Sequence, residues 1–216
     1  MFSFYGTKWK LAGMYSVPKY STIVEPFAGA AGYSCLYPDK DVVLCDLDPK
    51  IVAVWEWLIA ASPNDVRALP DIAAGDSVRD FGLSLAEEWL IGFCINPGSS
   101  CPKVTATPRS KWAAHRDRIA QMVPKIKHWT VRQGSYDSLP DLDATWFVDP
   151  PYQVAGKYYY GHKNLDFKRL GSWCRSRKGQ VIVCENTGAN WLPFRHLTQH
   201  RGSMKSNTEV VWERDN

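Results

Sequence analysis

Asp149-Pro150-Pro151-Tyr152 ends the apolar run Thr145-Trp146-Phe147-Val148. A buried strand that stops at two prolines delivers its next residues to the edge of a sheet, because proline cannot continue the hydrogen-bond ladder. The first proline biases Asp149 to extended backbone, and two fixed φ angles stiffen the turn. A carboxylate, a peptide carbonyl and an aromatic ring can then converge on one small planar group. The carboxylate and the Pro150 carbonyl accept hydrogen bonds, and the Tyr152 ring stacks. A planar base with an exocyclic amine matches this set, since its two N–H donors need two acceptors and its face needs an aromatic partner.

The elements that must position such a site read as an α/β alternation. Ser21-Thr22-Ile23-Val24-Glu25-Pro26-Phe27 is a short β-branched strand running into the small-residue turn Ala28-Gly29-Ala30-Ala31-Gly32, with a helix expected through Tyr33-Ser34-Cys35-Leu36. Strand, glycine turn and helix let backbone N–H groups approach a ligand closely. Glu25 would repel a pyrophosphate but suits a cofactor carrying an ammonium or a sulfonium, so the turn points to S-adenosyl-L-methionine before a dinucleotide. The second strand, Asp41-Val42-Val43-Leu44-Cys45-Asp46-Leu47-Asp48, brings Asp46 to the position where doubly wound folds place an acid on ribose hydroxyls. Asp48-Pro49 is expected to cap the following helix, which carries Trp57 and Leu58.

Ser84-Leu85-Ala86-Glu87 starts a helix with a capping box. Ser110 is expected to cap another, with Trp112, His115, Ile119, Met122 and Val123 on one face and Lys111, Arg116 and Arg118 toward another. His115 on that stripe reads as a packing residue. Residues 62–124 therefore read as a helical insertion interrupting a catalytic domain made of 1–61 and 125–216. The sheet resumes at His128-Trp129-Thr130-Val131-Arg132, whose turn carries Ser135 and Tyr136, the latter expected against the adenine of the cofactor. Next come the Asp149 strand, a loop with Tyr158-Tyr159-Tyr160 and Lys163, a helix over 165–177, the strand Gln180 to Asn186, and a terminal hairpin. This pattern predicts a mostly parallel sheet with an antiparallel end.

Composition narrows the class. The 216 residues are long enough for one well-buried core, 45% of them are hydrophobic, and the mean hydropathy is −0.31. The apolar runs are too short to span a bilayer and the first residues lack the layout of a signal peptide, so a cytoplasmic protein is expected, with no membrane partner. The six cysteines form no C-x-x-C pair, which predicts buried free thiols and implies no metal site. The net charge of +4 is modest, but residues 103–132 hold Lys103, Arg109, Lys111, Arg116, Arg118, Lys125, Lys127 and Arg132 against the single acidic Asp117. That concentration predicts a phosphate-facing surface.

Glu25-Pro26-Phe27-x-Gly29, then Asp46 after a second strand, then Asp149-Pro150-Pro151-Tyr152 together resemble the Dam-type N6-adenine DNA methyltransferases, small stand-alone members of which often come from bacteriophages. Phe4-Tyr5-Gly6-Thr7-Lys8 is similar to their N-terminal Gly-Gly-Lys segment, with Thr7 in place of a glycine. The resemblance covers most of the chain outside 62–124, the region where this family carries its target-recognition module, here reduced. It implies a Rossmann-like class I methyltransferase fold. S-adenosyl-L-methionine would be held by Tyr5, Gly6, Lys8, Glu25, Pro26, Phe27, Ala28, Gly29, Asp46, Leu47, Ser135 and Tyr136. Asp149, Pro150, Pro151 and Tyr152 would act on an adenine flipped out of double-stranded DNA, whose phosphates would meet Lys103, Arg109, Lys111, Arg116 and Lys163, with Lys157 and Arg169 beside them. Tyr158 to Tyr160 are candidates for filling the vacated stack. The chain departs from the family at Ala31, where a second glycine is usual, and at Ser135, where an acid often stands. The residues leave open the same chemistry on RNA adenine or on the N4 amine of cytosine, binding without turnover, a monomer or a weak dimer, and a part in restriction-modification.

Overall fold

The computed structural model describes residues 1–96, 98–154, 159–201 and 206–215. Seven strands form one sheet in the order β3-β2-β1-β4-β5-β7-β6, with β1 at Thr22–Glu25, β2 at Asp41–Asp46, β3 at Thr130–Gln133, β4 at Ala144–Val148, β5 at Gly179–Asn186, β6 at Arg195–Arg201 and β7 at Ser206–Asp215. Strands β3, β2, β1, β4 and β5 run parallel, and β7 pairs antiparallel with both β5 and β6. This is the Rossmann-like arrangement expected from the sequence, mostly parallel with an antiparallel end.

Alternation along the strands fixes two layers of core, because successive side chains leave a strand on opposite faces. Ile23, Leu44, Phe147, Ile182 and Cys184 face one way, while Val24, Cys45, Trp146, Val148, Val181 and Val183 face the other. The first face is covered by α1 (Pro49–Ala60), α2 (Pro63–Ala68), α3 (Leu85–Ile95) and α4 (Trp112–Met122). Segment 62–124 thus packs into the same core as the sheet, through Val66, Leu90, Ile91, Phe93, Trp112 and Ile119. The second face is covered by α5 (Phe167–Ser176), by way of Leu170 and Cys174, with Tyr136 and Trp191 beside it.

Caps account for the helix starts. Asp48 accepts from the Lys50 N–H at 3.0 Å with Pro49 behind it, and the α3 capping box is complete, with Ser84 N–H donating to Glu87 Oε2 at 2.8 Å. Two expectations are corrected. The segment after the glycine turn is only a 3-10 turn, Ser34–Leu36, since Pro38 forces Tyr37 out of helical backbone (φ −125°, ψ 55°) before a second turn can form. At α4 the cap residue is Lys111, which makes no side-chain cap; Ser110 Oγ takes the Trp112 N–H from one residue further out, at 3.3 Å. Five cysteines are buried free thiols and Cys101 is exposed. Among the described residues no helix is long and apolar enough to cross a membrane.

Candidate active site

The order of the sheet reverses between β1 and β4, which pair in parallel through Ile23 with Thr145 and Val24 with Trp146. Ligands of open α/β sheets bind at such a switch point, outside the carboxyl ends of the strands. Glu25 and Asp149 lie at those two ends, each followed by a proline that stops the ladder. A cavity of about 1070 Å³ opens there. It is lined by Tyr5, Gly6, Lys8, Glu25, Phe27, Ala28, Gly29, Asp46, Leu47, Ser135 and Tyr136, and by all of Asp149, Pro150, Pro151 and Tyr152; Pro26 alone of the residues proposed for these two roles does not reach it.

The glycine turn is stitched from both sides. Gly29 has φ +45°, its N–H donates to Asp46 Oδ2 at 2.9 Å, and its carbonyl accepts from Trp55 Nε1 at 2.8 Å. Ala31 also adopts left-handed backbone, at φ +46°, where glycine is the easier residue. Gly32 is required for a different reason. A Cβ there would lie 2.8 Å from the Trp9 nitrogen and 2.9 Å from the Lys8 nitrogen, so the bare backbone lets the N-terminal segment cross the turn. That crossing carries Lys8, on the 3-10 turn Lys8–Lys10, into the cavity.

Three carboxylates here are held toward neutrality by burial. Glu25 is 2% exposed, accepts from the Ser34 N–H at 2.8 Å, and is pushed up to about 7. Asp46 accepts from Gly29 and, through Oδ1, from the Asp48 N–H at 2.9 Å, yet burial still raises it to about 6. Asp149 is raised to about 6, burial outweighing the cation beside it.

That cation is Lys8. Its Nζ lies 2.8 Å from Asp149 Oδ1 and 3.5 Å from Glu209 Oε1, donates to the Gly6 carbonyl at 3.2 Å, and sits 4.7 Å from the centre of the Tyr152 ring. The paired carboxylates hold Lys8 protonated, well above the usual lysine range. Lys8, expected to hold a cofactor, lines the cavity with its ammonium on the Asp149 carboxylate. Glu209 on β7 is 3% exposed and also accepts the hydroxyls of Tyr152 and, at 2.7 Å, Tyr15. Sequence reading missed both Glu209 and Tyr15. The available signal was that Glu209 shares a strand face with the buried Val211. Glu185, 0% exposed, fixes the chain just past Tyr152 by accepting from the Gln153 N–H at 2.8 Å and Trp191 Nε1 at 3.1 Å.

The cavity mouth is aromatic. Tyr159 donates its hydroxyl to the Tyr5 carbonyl at 2.9 Å and packs on Phe4 with ring centres 5.9 Å apart, while Tyr5 and Tyr160 are 47% and 61% exposed. Tyr136 is buried against Phe27 (5.6 Å) and edge-on to Trp173 (5.1 Å), so it reaches the cavity as a wall packed from behind. Lys103, Arg109, Lys111 and Lys163 are exposed and do not line the cavity. Arg116 has another job: it donates to the Leu69 carbonyl at 2.7 Å and pairs with Asp71 at 2.7 Å, fastening α4 to the chain after α2. Arg169 pairs with Asp137. Lys157 and Tyr158 lie outside the described residues.

No protein-family model matches the chain, and no curated protein matches it. Among solved structures, the chain is similar to a Haemophilus influenzae protein provisionally described as a methylase, at 10% identity and a TM-score of 0.37, over 90% of this chain and 80% of that one. That likeness is too distant to say anything of the reaction.

Proposed function

We propose that this protein is a DNA methyltransferase that transfers a methyl group from S-adenosyl-L-methionine to the N6 amine of an adenine flipped out of its helix. The observation that carries the reading is the convergence, in one cavity at the switch point, of Asp149-Pro150-Pro151-Tyr152 with the buried carboxylates of Glu25 and Asp46. The cavity, about 1070 Å³, stands at the upper end of the roughly 300–1,000 Å³ typical of small-molecule sites. The residues present also suit this cofactor. Glu25, held near 7 by burial, gains from a neighbouring cation, and Asp46 keeps lone pairs for hydroxyl donors. A Cβ at Gly29 would meet the Phe4 ring at 3.1 Å, so the bare turn lets that ring pack against it at the cavity wall.

When bound, S-adenosyl-L-methionine supplies a methyl group already activated on sulfonium, whose carbon–sulfur bond breaks with its electron pair going to sulfur. The chain's own residues then have to prepare the amine. Its lone pair is delocalised into the ring, and acceptance of its two protons by Asp149 and the Pro150 carbonyl favours a pyramidal nitrogen with the lone pair directed outward. Nitrogen forms the new bond to carbon and becomes a secondary ammonium, and its surplus proton passes to Asp149 and on to solvent. Tyr152 stacks on the base, held by the hydroxyl contact to Glu209. The exposed Tyr5 and Tyr160 favour a second reading of the substrate, a single strand whose bases stack at the rim.

A single-turnover assay with labelled cofactor tests the role of Asp149. Asp149→Ala is expected to lower the transfer rate by about 100-fold or more while cofactor affinity stays within about threefold, since an acceptor used in the transition state is lost. Transfer at the wild-type rate by that variant would overturn the mechanism.

A further inference from the structure

Two carboxylates and one lysine meet beneath the base-binding turn, and the second carboxylate, Glu209, belongs to none of the motifs in the sequence. It comes from β7, the strand inserted antiparallel beside β5, and it is 3% exposed. One of its oxygens, Oε1, takes the Tyr152 hydroxyl and the Tyr15 hydroxyl and stands 3.5 Å from the Lys8 ammonium, itself 2.8 Å from Asp149. Lys8 is therefore shared. Were Asp149 its only partner, the pair would be neutral, and an acceptor fully compensated by an ammonium holds an amine proton weakly. With Glu209 present the three groups carry a net charge of −1, facing a nitrogen that turns positive as methyl arrives.

We propose that Glu209 is a positioning residue for the transfer: it fixes the Tyr152 ring by its hydroxyl and draws part of the Lys8 charge away from Asp149, so that Asp149 is a stronger hydrogen-bond acceptor for the amine. This rests on the reading of the site given above and adds to it a residue that touches Tyr152 and Lys8, whose partners act on the base.

The test uses the full chain and the near-isosteric Glu209→Gln, which keeps an acceptor for the tyrosine hydroxyls, with Glu209→Asp as the conservative variant. The groups that bear on Asp149 are Lys8 and Tyr15 from the N-terminal segment, Glu25 from β1, Tyr152 and Tyr159 from the loop after β4, Cys184 and Glu185 from β5, and Glu209 itself. Of these only Glu209 changes. Its charge helps to raise Asp149, so its removal lowers the Asp149 midpoint from about 6. Carbon-13 NMR of the labelled aspartate carboxyl, on protein without ligands, is expected to show that downward move in Glu209→Gln and its reversal in Glu209→Asp. In turnover, Glu209→Gln is expected to lower kcat by about tenfold or more, leave the KM for S-adenosyl-L-methionine within about twofold, and move the acid limb of the kcat profile down with the NMR midpoint. An unmoved midpoint with an unchanged kcat in Glu209→Gln overturns the inference. A midpoint that moves as expected in Glu209→Gln, with a wild-type protein that methylates no nucleic acid, supports the shared cluster and overturns the methyl-transfer reading instead.

Discussion

Burying carboxylates in a cavity has a measurable cost, clearest at Glu25. Its folded midpoint, about 7, lies above the ordinary 4.5, so ionisation is harder in the folded protein than in the unfolded chain. Such a group stabilises the fold below about 4.5 and loses that contribution as pH rises through 7. Asp46 and Asp149 shift in the same direction. The ligand-free protein is therefore expected to become more stable as pH falls from 7.5 toward 5. Glu25→Gln, which keeps an acceptor for the Ser34 N–H, should flatten that dependence and stabilise the protein near pH 8 by about 2–3 kcal/mol, while weakening S-adenosyl-L-methionine. Calorimetry across pH on both proteins checks the sign, and a variant less stable than wild type at pH 8 would contradict it. At this scale Asp149 and Tyr152 were legible because two prolines follow an apolar strand. Glu209 was not, because its partner Tyr152 lies 57 residues away and an acid on a terminal hairpin reads as solvated. The pairing of Lys8 with Asp149 and Glu209 was not legible either, because sequence does not reveal which anion a lysine meets.

Among the elements, the crossing of the N-terminal segment over the glycine turn decides whether Lys8 reaches Asp149. Gly32→Ala would set a Cβ within 2.9 Å of the backbone nitrogens of Lys8 and Trp9, neither of which is the yielding end of a side chain. The expected result is a loss of about 1–3 kcal/mol in urea unfolding, together with slowed transfer, because Lys8 is pushed off its carboxylates. Gly13→Ala, where a Cβ meets nothing within 4 Å, is the control and should leave both unchanged. Strands and capped helices were readable from alternation and from Asp48-Pro49 and Ser84-x-x-Glu87. The turn at Ser34–Leu36 was read as a helix because its short apolar run says nothing of how little room Pro38 leaves. Tertiary placement was invisible in the same way: Ser110 and Lys111 differ by one residue as caps, and sequence alone does not arbitrate.

For the whole molecule, the mostly parallel sheet and its antiparallel end followed from the alternation of strands and helices, but the strand order and the use of the basic stretch did not. Charge density says that cations are present, not which are already spent. Arg116 ties α4 to Leu69 and Asp71, whereas the side chains of Lys103, Arg109 and Lys111 are exposed and carry no partner among the described residues. Arg116→Ala is accordingly expected to lower stability and leave the salt dependence of DNA binding unchanged. Replacing Lys103, Arg109 and Lys111 together by alanine should reduce the slope of log K against log salt by about 2–3 without changing stability, each lost phosphate contact contributing about 0.9. Fluorescence anisotropy over a salt series separates the two classes.

The central claim is that this cavity methylates the exocyclic amine of adenine in DNA. It is tested most directly by incubating the protein with methyl-labelled S-adenosyl-L-methionine and unmethylated double-stranded DNA, digesting to nucleosides and identifying the labelled product. The account predicts label in N6-methyl-2′-deoxyadenosine, lost in Asp149→Ala. Label in any other nucleoside, or none from a protein that binds the cofactor, would contradict it.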